Sequence, residues 1–168
     1  IASGMSHSGG LRSADGSFWL WGNNATGQLG QGDTISRSSP TQVSAGTSWN
    51  QISLGASHTV SLTSNQLYVW GGNAGGQLGD GTTVNKSTPT LLDSLFSIAA
   101  SISSPAQIGT SSWSSVSAGA SHSLAIRSDG TLWAWGRNNW GQLGLGTSAN
   151  YVNYSSPKQV GSLTTWTS

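Results

Sequence analysis

Short runs of alternating apolar and polar residues recur along the chain. Val60 and Leu62 alternate with hydroxyl residues, and Leu124 and Ile126 repeat this arrangement further along. A period of two is typical of β-strands that bury one face. Each run is followed by a second run that is rich in aromatic residues, as at 67–70 and 132–135. The pattern therefore predicts pairs of short antiparallel strands.

Turn signals separate the two strands of each pair. Asp15-Gly16 and Asp129-Gly130 are pairs of the kind that form two-residue hairpin turns with positive φ. A third strand is predicted before each pair, in the approach to a Gly-x-x-His motif. A fourth and weaker strand is predicted near each Pro-x-Gln-Val segment. Each unit is thus expected to be a small antiparallel sheet.

One ten-residue phrase occurs three times, as WGNNATGQLG, WGGNAGGQLG and WGRNNWGQLG, and a histidine precedes each copy by 12 to 14 residues. Such self-similarity is typical of repeat architectures. We therefore predict three units, 1–49, 50–113 and 114–168, which cover nearly the whole chain. Residues at a repeated phase are expected to build the scaffold. They are His7, His58, His122, Trp21, Trp70, Trp135, Gly30, Gly79 and Gly144.

The second unit is longer than the others. Pro89 keeps the spacing to its Gly-Gln-Leu-Gly turn that Pro40 keeps in the first unit, whereas Pro105 has the Ser-Ser-Pro-x-Gln context. The stretch at about 90–104 therefore looks inserted, and its apolar residues recur at helical spacing. Two interpretations stay open: a loop that folds back on its own blade, or a partner-binding element. The second interpretation would use Leu95 and Phe96.

A sheet of three or four strands cannot cover its own hydrophobic face, and radial stacking of such blades into a propeller solves that problem. The ordered motifs Gly-x-x-His, Asp-Gly, Trp-Gly-x-Asn, Gly-Gln-Leu-Gly and Pro-x-Gln-Val, at a period of about 50 residues, resemble the regulator of chromosome condensation repeat family. The resemblance implies an all-β fold of β-propeller blades, three in this chain, completed by more chain or by other copies. It also implies guanine-nucleotide exchange or chromatin association as an alternative function.

Composition limits the function classes. Charged residues make up 7% of the chain and the net charge is +1, so there is no basic stripe for phosphate contacts. We therefore expect no nucleic-acid partner. No apolar run has the length of a membrane span, and no leader of the signal-peptide type is visible. Cysteine is absent, which is compatible with any compartment.

Candidate catalytic chemistry is sparse. Three histidines with an open position are a known zinc arrangement, but a histidine at one phase of every repeat favours structural hydrogen bonds. The Gly-Gln-Leu-Gly turns lack the lysine and the helix of a phosphate-binding loop. Glutamate is absent and the aspartates are dispersed. We predict no catalytic residue, no cofactor, no metal site and no enzymatic activity.

Aromatic residues that depart from the repeat are the candidate contacts. Trp140 replaces Thr26 and Gly75 inside the ten-residue phrase, and the longer loop that follows it carries Tyr151 and Tyr154. Interfaces are enriched in tryptophan and tyrosine. For these aromatic residues, structural packing and partner binding both stay open.

The chain is therefore predicted to be a non-catalytic structural or interaction protein. Its last residues stop at the phase where its first residues begin, as expected of copies joined head to tail or of a longer repeat chain. The expected partners are proteins, and glycan binding by an adhesin stays open. Low charge and a surface rich in Ser, Thr and Asn favour an extracellular or virion-associated protein, with the cytoplasm still open.

Overall fold

Three four-stranded antiparallel sheets make up the fold. The computed structural model describes residues 1–44, 46–64, 66–92, 112–146 and 152–167. Blade 1 contains β1 (Ala2–Ser3), β2 (His7–Leu11), β3 (Phe18–Gly22) and β4 (Arg37–Val43). Blade 2 contains β5 (Gln51–Leu54), β6 (His58–Thr63), β7 (Gln66–Gly71) and β8 (Lys86–Leu91). Blade 3 contains β9 (Trp113–Ala118), β10 (His122–Arg127), β11 (Leu132–Gly136) and β12 (Tyr154–Gln159).

Each blade is a meander, because strands that follow one another in the chain are hydrogen-bonded neighbours in the sheet. The fourth strand of each blade contains a proline: Pro40 in β4, Pro89 in β8 and Pro157 in β12. The all-β prediction of three blades is confirmed. Within the described ranges, no helix is long and apolar enough to cross a membrane.

The fourth strand of blade 2 corrects the predicted insertion. Thr90 and Leu91 belong to β8 and pair with β7, and the side chain of Leu92 is buried. The insertion therefore does not begin at Thr90, since the apolar residues after Pro89 complete the sheet. The remaining residues to which we assigned helical spacing lie outside the described ranges, as does Pro105.

The Asp-Gly turns are wider than predicted. Residues 12–17 separate β2 from β3, and residues 128–131 separate β10 from β11. In each turn the glycine has positive φ, 66° at Gly16 and 79° at Gly130, whereas the aspartate does not. The Asp15 carboxylate instead accepts a hydrogen bond from the Ser17 backbone N–H at 3.0 Å. Aspartate thus stabilises an Asx turn here, and the prediction of a two-residue hairpin turn was wrong.

The hydrophobic cores lie between blades. One core combines side chains of blades 1 and 2: Phe18, Leu20, Leu29, Val43, Trp49, Leu54 and Trp70. The other combines blades 2 and 3: Val60, Leu62, Leu67, Val69, Leu78, Leu92, Trp113, Ala125 and Trp135. Because each core takes residues from two sheets, a blade buries its apolar face only when the next blade is in place.

Candidate interaction surfaces and the blade joint

A short network of hydrogen bonds fastens blade 1 to blade 2. Thr59 Oγ1 and Trp70 Nε1 both donate to the backbone carbonyl oxygen of Gln28, at 2.8 Å and 3.0 Å. The ring nitrogen Nε2 of His7 lies 3.1 Å from Thr59 Oγ1. We call this set of histidine, hydroxyl, glutamine carbonyl and indole the blade joint.

The same joint connects blade 2 to blade 3. Ser123 Oγ and Trp135 Nε1 donate to the carbonyl oxygen of Gln77 at 2.8 Å and 2.9 Å. His58 Nε2 lies 3.0 Å from Ser123 Oγ. The repeated histidine, tryptophan and Gly-Gln-Leu-Gly turn therefore meet across the boundary between blades and not within one blade.

Counting protons fixes the tautomer of the joint histidines. A hydroxyl carries one hydrogen, and the hydroxyl of Thr59 donates it to Gln28. His7 Nε2 must therefore carry a proton and donate it to Thr59 Oγ1. His7 Nδ1 is then unprotonated, and both Nδ1 of His7 and Nδ1 of His58 are buried without a hydrogen-bond partner.

The Gly-x-x-His motif requires glycine for a steric reason. A Cβ atom on Gly55 would collide with the ring of His58 and with the carbonyl oxygen of Gly119 in the next blade. A Cβ atom on Gly4 would likewise lie 2.8 Å from His7 Nδ1. The ring packs directly over a backbone that cannot carry a side chain, so Nδ1 faces no acceptor that could take a proton from it.

Burial makes the joint histidines hard to protonate. Removal from water lowers the pKa of His7 to about 4 and that of His58 to about 3, and the nearby His7 and His122 add to the effect at His58. Burial also lowers the pKa of His122. The joint therefore requires neutral imidazoles.

We expect acid to destabilise the joints before the carboxylates titrate. The folded pKa of His7 and His58 lies below the unfolded value of 6.5, so the unfolded chain binds protons first as the pH falls. The stabilising contribution is complete above about pH 6.5 and is lost as the pH falls toward 4 for His7 and toward 3 for His58. Between about pH 7 and 5, the free energy of unfolding should fall by on the order of 2 kcal/mol for each histidine.

Urea unfolding at a series of pH values measures this dependence. The double variant His7→Gln and His58→Gln should be less stable at neutral pH, and its stability should vary much less between pH 7 and 5. An unchanged slope in that variant would contradict the assignment.

The ring nitrogens Nε2 of the joint histidines are used in structural hydrogen bonds. His7 and His58 direct Nε2 to hydroxyl groups of different blades. In the part of the chain that the structure describes, no group of three His, Cys, Asp or Glu side chains is placed to hold a metal ion.

Trp140 lies in the turn of blade 3 that corresponds to the joint-forming turns of blades 1 and 2. Its side chain is 88% exposed. At the same phase in blade 1, Thr26 Oγ1 donates to the carbonyl oxygen of Ser57 in the next blade at 3.1 Å. At that phase in blade 2, a Cβ atom on Gly75 would lie 3.5 Å from Cβ of Arg137 in the next blade. Trp140 thus occupies a position that faces a following blade in the other two units.

Of the other predicted contact residues, Tyr154 alone lies within the described ranges. Tyr154 is half-buried in β12, opposite Gly136, and Lys158 Nζ lies 5.6 Å from the centre of its ring. Tyr151, Leu95 and Phe96 lie outside the described ranges, so their role in partner binding stays a prediction.

Two polar residues in the same copy of the phrase as Trp140 were not predicted from the sequence. Arg137 and Asn139 lie with Asn153 in a groove between blades 2 and 3. The available signal was the one that identified Trp140, namely departure from the repeat. Arg137 and Asn139 stand in the third copy of the phrase where the second copy has Gly72 and Ala74.

Most of the chain matches a known repeat family. The model described as "Regulator of chromosome condensation (RCC1) repeat" matches residues 15–62, 64–126 and 129–168. A second model with the same description matches residues 113–142. The matched ranges include the blade-joint residues of blades 2 and 3.

Two curated relatives share this similarity. The ultraviolet-B receptor UVR8 of Arabidopsis thaliana is 37% identical over 150 residues, which are 87% of this chain and 31% of the receptor. The X-linked retinitis pigmentosa GTPase regulator homolog of Caenorhabditis elegans is 37% identical over 67 residues, which are 39% of this chain and 5% of that protein. The chain therefore spans less than a third of the length of either relative.

Solved structures share the fold. Prp20p of Saccharomyces cerevisiae, studied with its binding to Gsp1p and histones, superposes with a TM-score of 0.78 at 22% identity. That superposition covers 96% of this chain and 38% of Prp20p. Human WBSCR16 superposes with a TM-score of 0.72 at 25% identity, over 94% of this chain and 38% of that protein.

Proposed function

Because this chain belongs to the regulator of chromosome condensation (RCC1) repeat family, we propose that it supplies three blades of a non-catalytic propeller that binds protein partners. The outer faces of blades 1 and 3 are joined to further blades of the same kind, supplied by more of the chain or by other copies. Support for this proposal comes from the two halves of a blade joint that the outer faces carry.

The face of blade 1 carries the donor half of a joint. Ser8 and Trp21 are cross-strand partners in blade 1, as Thr59 and Trp70 are in blade 2. Ser8 and Trp21 are both half-buried, whereas Trp70 is completely buried. Among the described residues, neither the Ser8 hydroxyl nor the Trp21 indole has a glutamine carbonyl to bond.

The face of blade 3 carries the acceptor half. His122 and the backbone carbonyl of Gln142 stand at the phases of His58 and Gln77, and no joint partner for them lies within the described ranges. The apolar face beside them is also less covered: Leu124 and Ile126 are half-buried. The two outer faces are therefore complementary in donors, acceptors and apolar surface, as a head-to-tail contact requires.

The relatives support a binding role over a catalytic one. One is a receptor by name, and Prp20p was studied for its binding to Gsp1p and histones. The likeness to Prp20p is a likeness of fold at 22% identity, so guanine-nucleotide exchange or chromatin association stays the alternative. An extracellular or virion-associated location and glycan binding stay predictions from composition.

The head-to-tail part of the proposal is tested by the mass of the particle in solution. We expect multi-angle light scattering to show a mass that rises with concentration above that of one chain. Ser8→Lys places a bulky cation in the joint and should return the mass to that of one chain. Ser13→Lys adds the same charge in an exposed turn and should associate like the unmodified protein.

Two outcomes contradict the joining of copies. One is a single-chain mass for the unmodified protein at every concentration. The other is equal association by the Ser8→Lys and Ser13→Lys variants, which would mean that contact does not use the open joint.

A further inference from the structure

A polar groove runs between blades 2 and 3. Its volume is about 410 Å³, and blade 2 contributes Gly75 and Gln77 among its lining residues. Blade 3 contributes Arg137, Asn139 and Asn153. Its polar groups are hydroxyls, amides and one guanidinium, and no carboxylate lines it. The groove therefore has positive charge and many hydrogen-bonding groups.

The groove exists because three residues at this joint, Gly75, Arg137 and Asn139, differ from their counterparts at the joint between blades 1 and 2. At the joint between blades 1 and 2, the side chain of Thr26 fills the corresponding space and bonds the carbonyl oxygen of Ser57. Gly75 replaces Thr26 at the joint between blades 2 and 3 and leaves that space open. In the same place Arg137 and Asn139 replace Gly72 and Ala74, which have no polar side-chain group. Space and charge thus arise together at one joint.

The guanidinium of Arg137 is held by one edge. When the Asn139 amide oxygen faces it, that oxygen accepts hydrogen bonds from Nη2 at 3.0 Å and Nε at 3.1 Å. The amide nitrogen of Asn139 then donates to Asn153 Oδ1 at 3.2 Å. Asn153 Oδ1 also accepts the backbone N–H of Asn138 at 3.0 Å, which fixes it to the turn. Asn139 and Asn153 therefore orient the arginine.

The other edge of the guanidinium is available. Arg137 forms no ion pair with any described residue. Arginine presents its N–H groups in a rigid fork that matches the two oxygens of a carboxylate. A fork whose Nε edge is already anchored loses little conformational freedom when the Nη1–Nη2 edge binds a ligand.

We propose that this groove binds a carboxylate side chain on an acidic segment of a protein partner, with Arg137 as the bidentate donor. The inference rests on the proposed protein-binding function and names the chemistry of the partner. Peptide amides of the partner can bond the asparagine and glutamine amides that line the groove.

Peptide binding tests the inference directly. The probe is a fluorescein-labelled hexaglutamate peptide with blocked ends, and hexaglutamine is its neutral counterpart. Fluorescence anisotropy at low salt should show binding of hexaglutamate and at least about tenfold weaker binding of hexaglutamine, because charge-assisted bidentate pairs are the strong ones.

The repeat itself supplies matched variants. Arg137→Gly with Asn139→Ala installs the residues of blade 2, and Gly75→Thr installs the residue of blade 1. Each should fold normally, since the other blades already carry these residues, and thermal unfolding checks this. Both variants should weaken hexaglutamate binding about tenfold, the first by removing the fork and the second by filling the groove. Arg12→Ser removes the same charge from a hairpin in blade 1 and should leave binding unchanged.

Several outcomes overturn the inference. One is equal loss of affinity in Arg12→Ser and in the groove variants, which would indicate net charge alone. Another is equal binding of the two peptides. Inorganic phosphate that binds through Arg137 more tightly than hexaglutamate would make the groove a phosphate site. The titration is run below the concentration of self-association, so the groove and the open joints can fail independently.

Discussion

Trp70→Ala should lower the free energy of unfolding by about 3–5 kcal/mol, the range for deleting a large buried aromatic ring. The Trp70 side chain is completely buried between blades 1 and 2. Its ring centre lies 5.7 Å from that of Trp49 and 6.1 Å from that of Phe18. Alanine removes these contacts. It also removes the hydrogen bond that Trp70 Nε1 donates to the Gln28 carbonyl oxygen at 3.0 Å.

Trp21→Ala is the matched control. Trp21 has the same place in the ten-residue phrase, but it is half-buried on the open face of blade 1. We expect a loss of only about 1–2 kcal/mol, from partial burial alone. Urea unfolding of both variants, below the concentration of self-association, measures the difference. Equal losses would mean that the stabilising role of the phrase lies within a blade and not at the joint.

The second large effect is expected for Gly79→Ala. A Cβ atom on Gly79 would lie 2.5 Å from Trp135 Nε1. That indole is fully buried and donates to Gln77 at 2.9 Å, so it cannot move away without breaking the joint. Gly79 also has a φ of 71°, which alanine adopts only with strain. Strain and collision together should cost about 3 kcal/mol.

Gly144→Ala separates the two causes. Gly144 has a similar φ of 66°, but the nearest atom to its Cβ would be Val160 Cγ1 at 3.3 Å. The strain remains, and the Val160 methyl group needs to move by only a few tenths of an ångström. We therefore expect a loss of about 1–2 kcal/mol. Differential scanning calorimetry of the two variants should show the larger drop in melting temperature for Gly79→Ala. Identical drops would show that the turn conformation matters and the indole of the next blade does not.

The strands were predictable because their evidence is local. The alternation around Val60 and Leu62 and the aromatic strand before Trp70 are short-range patterns, and both gave the strands observed. The Asx turn at Asp15 was not predicted, because an aspartate that accepts a nearby N–H and an aspartate with positive φ have the same sequence signal. Thr90 was wrongly assigned to the insertion because two local signals disagreed. The Ser-Ser-Pro-x-Gln context indicated a fourth strand at Pro105, whereas the spacing from the Gly-Gln-Leu-Gly turn indicated one at Pro89, where β8 lies.

The blade joint could not be derived from the sequence. His7 and Thr59 are 52 residues apart, and nothing local indicates that a histidine of one unit bonds a hydroxyl of the next. Repetition predicted that such residues are structural but not which residues they meet. The groove was not predicted, because the sequence indicates contact residues in the third copy of the phrase only through its aromatic departure, Trp140, and Arg137 is a charged residue in a chain with few charges.

The three phrase tryptophans allow the most direct measurement. Hydrogen exchange of their indole N–H groups is followed by NMR, with assignment by Trp→Phe variants, at a concentration where the particle is one chain. We expect Trp70 and Trp135 to exchange at least about 100-fold more slowly than Trp21, because, among the described residues, only these two of the three indoles donate to a glutamine carbonyl of the preceding blade. We also expect Trp21 to become protected when copies associate. Equal exchange of all three indoles in the single chain would contradict the blade joint.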